Sequence, residues 1–151
     1  MMRRIALIGC ALLALSPAAT AAPPPVIVTI DLLRTEFVAL SGSEKVYFAG
    51  DGAALDAPAR ATLAAQARWL RMHPEVAVRI EGHADDRTPR DEALAIGERR
   101  AAAVRDFLLL QGVPAGQIGV LSWGKERPVN TGGGEMNLAL ARRAVTVLLP
   151  R

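Results

Sequence analysis

The chain has 151 residues, enough for one domain with a substantial hydrophobic core. Its 18 basic and 15 acidic residues leave a formal charge of +3, and no basic stripe interleaved with aromatics occurs, so the footprint of a nucleic-acid binder is missing. Cys10 is the only cysteine. Beyond the N-terminal segment the chain therefore has neither a disulfide nor a cysteine metal site.

In chain order, Met1-Met2-Arg3-Arg4 is a basic start, Ile5 to Leu15 an apolar run and Ala19-Thr20-Ala21 a small-residue cleavage site. Together they predict a secretory signal peptide over residues 1–21. Its removal takes Arg3 and Arg4 from the 18 basic residues and leaves 16 against 15 acidic. Leu7-Ile8-Gly9-Cys10 also resembles a lipobox. The apolar run before Cys10 is short and continues after it, so an unlipidated periplasmic product is expected. An outer-membrane lipoprotein anchored at Cys10 is the alternative.

Residues 22–43 read as an N-terminal lead or tether, with Val26 to Ile30 able to pair as a strand and Asp31 to Ser43 without a clear pattern. The domain is expected over 44–151. Lys45 to Phe48 forms its first strand. Asp56 is a good N-cap, with Pro58 in the first turn, for a helix running to about His73. Leu63, Ala67 and Leu70 recur at helical spacing on its core face. Val76, Val78 and Ile80 alternate with Ala77, Arg79 and Glu81 in a central strand running to His83. The next helix runs to about Gln111 with Ala101, Val104 and Leu108 buried. Gly112 and Pro114 close it. Ile118 to Trp123 is a strand, residues 124–134 a glycine-rich loop and Met136 to Ala141 a short helix or turn. Arg143 to Leu149 is the last strand, with Val145, Val147 and Leu149 alternating. The order β-α-β-α-β-(α)-β predicts an α/β sandwich, a mixed four-stranded sheet with helices packed on one face.

The stretch from Val76 to Arg100 carries the candidate site. Asp85 and Asp86 lie on a loop just past a strand end, where binding residues tend to sit. Adjacent loop acids are also ordinary turn residues. A metal site is weakly supported, because only His83 and Glu81 are near in sequence and Glu81 points away from the Gly82 face. Two placements of Arg100 are open. In a helix unbroken from Asp91 it lies about 13 Å along the axis, far from Asp85. In a helix restarting at Gly97 it falls in the first turn, where free N–H groups and the dipole add to the guanidinium. That second geometry opposes a cation-binding corner to an anion-binding corner and suits a zwitterion. No serine or cysteine is positioned as a nucleophile for His83, Ser122 belonging to a different strand, and catalysis is not expected.

Gly82-His83-Ala84-Asp85 followed by Gly97-Glu98-Arg99-Arg100-Ala101 resembles the OmpA-like C-terminal domain family, and within it the peptidoglycan-associated lipoproteins. Val46-Tyr47-Phe48, Ala65-Gln66-Ala67-Arg68-Trp69-Leu70, Ser122-Trp123-Gly124-Lys125-Glu126-Arg127-Pro128 and Arg142-Arg143-Ala144-Val145 continue the likeness in family order. The resemblance implies a non-catalytic, cofactor-free periplasmic module that binds the diaminopimelate of the peptidoglycan stem peptide. Asp85 matches the family's residue for the ligand's ammonium, and Arg100 its residue for the carboxylate. Arg142, Ala84 and Ile96 are secondary candidates. Thr88, Glu92-Ala93 and Ala141 depart from the family pattern. They motivate an alternative in which wall binding is weak or lost and the protein acts through periplasmic partners of the Tol system.

Overall fold

The computed structural model describes residues 29–129 and 132–151. The expected signal peptide, Cys10 and residues 22–28 of the lead, with most of the strand expected from Val26, lie outside the described residues.

Helix α1 (Ile30–Ser41) is the element that patterning did not place. Thr29 caps it, and it closes on Gly42 at φ 81°, a left-handed position that glycine adopts without a side-chain clash. Phe37 is fully buried and meets Trp69 edge-on at 5.1 Å between ring centroids. Helix α1, within the stretch expected to be a lead or tether, thus packs on the same core. Ile30 opens this helix instead of ending a strand. Ile30, Leu33 and Val38 pack beside Phe37 on the core.

Strand β1 (Lys45–Tyr47) leads to α2 (Ala57–Met72), whose first turn is held by Asp56 accepting from the Ala59 N–H at 2.8 Å. Strand β2 (Val76–His83) follows, then α3 (Arg90–Leu110), β3 (Ile118–Gly124), α4 (Gly134–Ala141) and β4 (Arg143–Pro150). The sheet order is β1-β4-β2-β3. Strands β2 and β3 run parallel through the α3 crossover, and β4 lies antiparallel between β1 and β2. This is the expected mixed four-stranded sheet.

The core lies between the sheet and the helices. Val46, Val76, Val78, Ile80, Ala144 and Leu148 supply the sheet side, and Leu63, Leu70, Ala101, Val104 and Leu108 the helix side. In β4 Ala144, Thr146 and Leu148 face the core, while the alternating Val145, Val147 and Leu149 are half-buried. Thr146 is the polar member of the core face. Its hydroxyl donates to Gln66 Oε1 at 2.8 Å, and Gln66 in turn donates to the Ser43 carbonyl, so the buried polar atoms are satisfied.

The helix α3 is unbroken through Gly97, which decides between the two placements of Arg100 in favour of the continuous helix. Gly97 is buried against Gly82 of β2. A Cβ on Gly82 would overlap the Gly97 carbonyl, and a Cβ on Gly97 would stand 2.8 Å from the Gly82 carbonyl oxygen and closer still to Ser122 Oγ. The two glycines thus let helix and strand touch backbone to backbone. Ser122 holds the contact by donating to the Leu94 carbonyl at 2.7 Å. Gly82→Ala and Gly97→Ala are each expected to lower stability by about 3 kcal/mol through overpacking. Gly119→Ala, where the nearest atom is Val78 O at 3.8 Å, serves as the control. Urea titration of the three variants checks this.

Candidate functional site

The glycine contact decides where the charged residues go. Arg100 follows Gly97 by three residues and so shares its sheet-facing side. Helical side chains lean toward the preceding turn, which carries the guanidinium to the end of β2. It is 1 % exposed. Its Nη1 donates to the His83 carbonyl at 2.8 Å, Nε to the Gly52 carbonyl at 2.9 Å and Nη2 to the Gly50 carbonyl. The Phe48 ring lies 5.2 Å from its centre. Arg100 therefore fastens the turn after β1 to the end of β2. Being mid-helix, it gains nothing from free N–H groups or the helix dipole, contrary to the first-turn geometry. Burial pushes its pKa down to about 10, with Asp51 and Asp85 opposing, and it stays charged at neutral pH. The neighbouring Arg99 is exposed.

Asp85 is 2 % exposed, whereas Asp86 is exposed. Its Oδ1 accepts the Arg87 backbone N–H at 3.2 Å, and its Oδ2 accepts Arg87 Nη2 at 2.9 Å and Nε at 3.3 Å. Arg142 Nη1 reaches the same Oδ2 at 3.2 Å and Nη2 reaches Glu135 at 3.3 Å, while its buried Nε has no partner. Burial raises the Asp85 pKa, but the hydrogen bonds from Arg87 and Arg142 outweigh it and the net shift is downward. The structure thus brings Asp85, Arg100 and Arg142 to one end of the sheet, without a direct Asp85–Arg100 bond. Ala84 and Ile96 are buried with Ala93 in a small apolar cluster separate from the main core.

Sequence reasoning missed Arg87, Asp51 and Glu135. Arg87 was readable in principle, two residues past Asp85, at the spacing by which loop acids cap their own turn. Asp51 was not, because only the Arg100 hydrogen bonds to Gly50 and Gly52 bring its turn here. A depression of about 690 Å³ is lined by Leu40, Trp69 and Met72 of α1 and α2 and includes neither Asp85 nor Arg100.

His83 points to the other sheet face, beside Glu81, Arg127 and Arg143. It is 1 % exposed and neither ring nitrogen has a partner. Burial, with Arg143 and Arg127 adding, lowers its pKa to about 3. Glu81 is held by Arg79 at 2.7 Å, so it lies off the Gly82 face as expected. Trp69 is a core residue stacked on His73, and Trp123 is covered by Arg127 at 3.6 Å.

Two stability predictions follow from this geometry. Arg100→Ala leaves three backbone carbonyls without their donor and is expected to cost on the order of 3 kcal/mol, read by thermal unfolding. His83 binds a proton in the unfolded chain below about pH 6.5 but in the folded protein only near pH 3. The unfolded state therefore binds more protons in that window, and stability falls as pH drops through it, by on the order of 3 kcal/mol at pH 4. His83→Leu is expected to remove this loss. The Asp85 contribution, present above its unfolded value, is lost at still lower pH.

With the geometry in place, comparison with known proteins is informative. The model of the OmpA family matches residues 47–140. A peptidoglycan-associated lipoprotein of Agrobacterium fabrum is 47% identical over 105 residues, covering 70% of this chain and 59% of that protein. Its counterpart in Brucella melitensis is 45% identical over 105 residues, covering 70% and 62%. The crystal structure of the peptidoglycan-associated lipoprotein from Burkholderia pseudomallei superposes with a TM-score of 0.69 at 37% identity, covering 72% of this chain and 92% of that one. The chain thus spans less than two thirds of the length of these two sequence relatives. The likeness read from the Gly-His-Ala-Asp and Gly-Glu-Arg-Arg blocks is borne out.

Proposed function

Because the chain belongs to the OmpA family, we propose that it binds peptidoglycan without cutting it, through the diaminopimelate of the stem peptide. Asp85 takes the ligand's ammonium and Arg100 its carboxylate. The observation that carries this reading is the convergence of Asp85, Arg87, Arg100 and Arg142 at one end of β2. Opposite charges in that corner match the opposite charges of a zwitterion. Charge-assisted hydrogen bonds contribute roughly 1.5–3 kcal/mol each, so one pocket binds modestly and a polymeric wall multiplies the sites. The names of the Brucella and Agrobacterium relatives, peptidoglycan-associated lipoproteins, support it.

Binding is favoured over catalysis because no nucleophile is poised at the site. The Ser122 hydroxyl is committed to Leu94, and His83 is a neutral imidazole without a polar partner. Among the described residues no helix is long and apolar enough to cross a membrane. The expected leader sends the protein to the periplasm, with the Cys10 anchor as the lipidated alternative. One observation favours a second reading. Asp85 is nearly sealed by its two arginines, as a protein with weak wall binding that works through Tol-system partners would allow.

Co-sedimentation with isolated diaminopimelate-type sacculi tests the proposal. The wild type is expected to pellet and free diaminopimelate to release it. Asp85→Asn and Arg100→Lys, which keep the side-chain bulk, should each weaken binding about tenfold or more. Sedimentation that diaminopimelate does not compete and that survives both substitutions would exclude this assignment.

A further inference from the structure

Asp85 is 2 % exposed, so a ligand cannot reach its carboxylate in this conformation. Two arginines close it, and they are held differently. The Arg142 side chain is 10% exposed and is bound at once to Asp85 and Glu135. The Arg87 side chain is 52% exposed, and its guanidinium hydrogen bonds among the described residues all go to Asp85. Arg142 is tethered at both ends, whereas Arg87 can swing into solvent from an exposed position on the loop between β2 and α3.

We propose that Arg87 is an internal stand-in for the ligand's ammonium group, closing Asp85 in the free protein and leaving when the ligand's own cation arrives. The inference rests on the diaminopimelate reading of this site. An ammonium within hydrogen-bond distance of Oδ2 would need the space that Arg87 Nη2 fills at 2.9 Å, and two cations cannot share it. A half-exposed ion pair is weak enough to open. The exchange keeps the carboxylate paired throughout, so a buried charge is never left alone. It also selects the ligand. Only a molecule bringing its own cation to that spot can replace Arg87 without loss, and one lacking it leaves Arg87 in place.

A protein that binds only in its open form has its affinity reduced by the open fraction. Removing the plug should therefore tighten binding of free diaminopimelate, on the order of tenfold for an open fraction near one tenth. The experiment is calorimetric titration of the wild type, Arg87→Ala and Arg87→Gln with diaminopimelate and with pimelate, which keeps both carboxylates and has no amino group. Circular dichroism checks each fold, and the glutamine variant stands in should the alanine one misfold. Tighter binding of diaminopimelate, with no gain for pimelate, supports the plug, including the case where only the variants bind diaminopimelate measurably. Unchanged or weaker diaminopimelate binding in the variants overturns it and leaves the diaminopimelate reading standing. An equal gain for both ligands also overturns it, since that is general loosening of the loop. No binding by any of the three proteins overturns the plug together with the reading it rests on.

Discussion

The contact between Gly82 and Gly97 is the constraint on which the rest depends. Two residues without side chains let α3 lie directly on β2, so the helix and strand backbones meet. Everything at the site is measured from that crossing. Three residues along α3, Arg100 reaches the strand end; one residue past Gly82, the His83 carbonyl receives it. The Gly50 and Gly52 carbonyls complete the set, so one guanidinium ties a turn, a strand and a helix together. A larger residue at either glycine would lift the helix and carry Arg100 away from its carbonyls.

The strand end is also a division between two faces. On the helix side, Asp85 sits in a dense set of charges with Arg87, Arg142 and Glu135. On the other side, His83 lies neutral between cations. Two residues separated by Ala84 alone thus have different electrostatic surroundings, because His83 ends β2 and Asp85 lies on the loop beyond it. The same geometry explains why Asp86 and Arg99 take no part. Each is one residue from a buried partner and faces solvent.

The site as it stands is closed and internally neutralised. Buried carboxylates persist only when paired, and Asp85 is paired twice. Arg100 has a different status. Its three bonds to backbone carbonyls make it part of the scaffold, and those bonds use three of its five N–H donors.

The sequence by itself determined the sheet's strands, the α2 cap, the α3 core stripe and the likeness that singled out Asp85 and Arg100. Those signals are local: alternation in β2, helical spacing at Leu63, Ala67 and Leu70, and a capping aspartate. Helix α1 was not placed from patterning, because its apolar residues are interleaved with Asp31, Arg34, Thr35 and Glu36 and only packing of Ile30, Leu33 and Phe37 on the core shows the buried side. Alternation at Val145, Val147 and Leu149 marked β4 as a strand but not its core face, where Thr146 is satisfied by Gln66, 80 residues away in the chain. The sequence left Gly97 open between a helix start and a helix interior. Only the tertiary structure decided that, since the reason for the glycine is the backbone of a different element. The pairing of Asp85 with Arg142 was beyond it for the same reason, as 57 residues separate them and folding alone makes them neighbours.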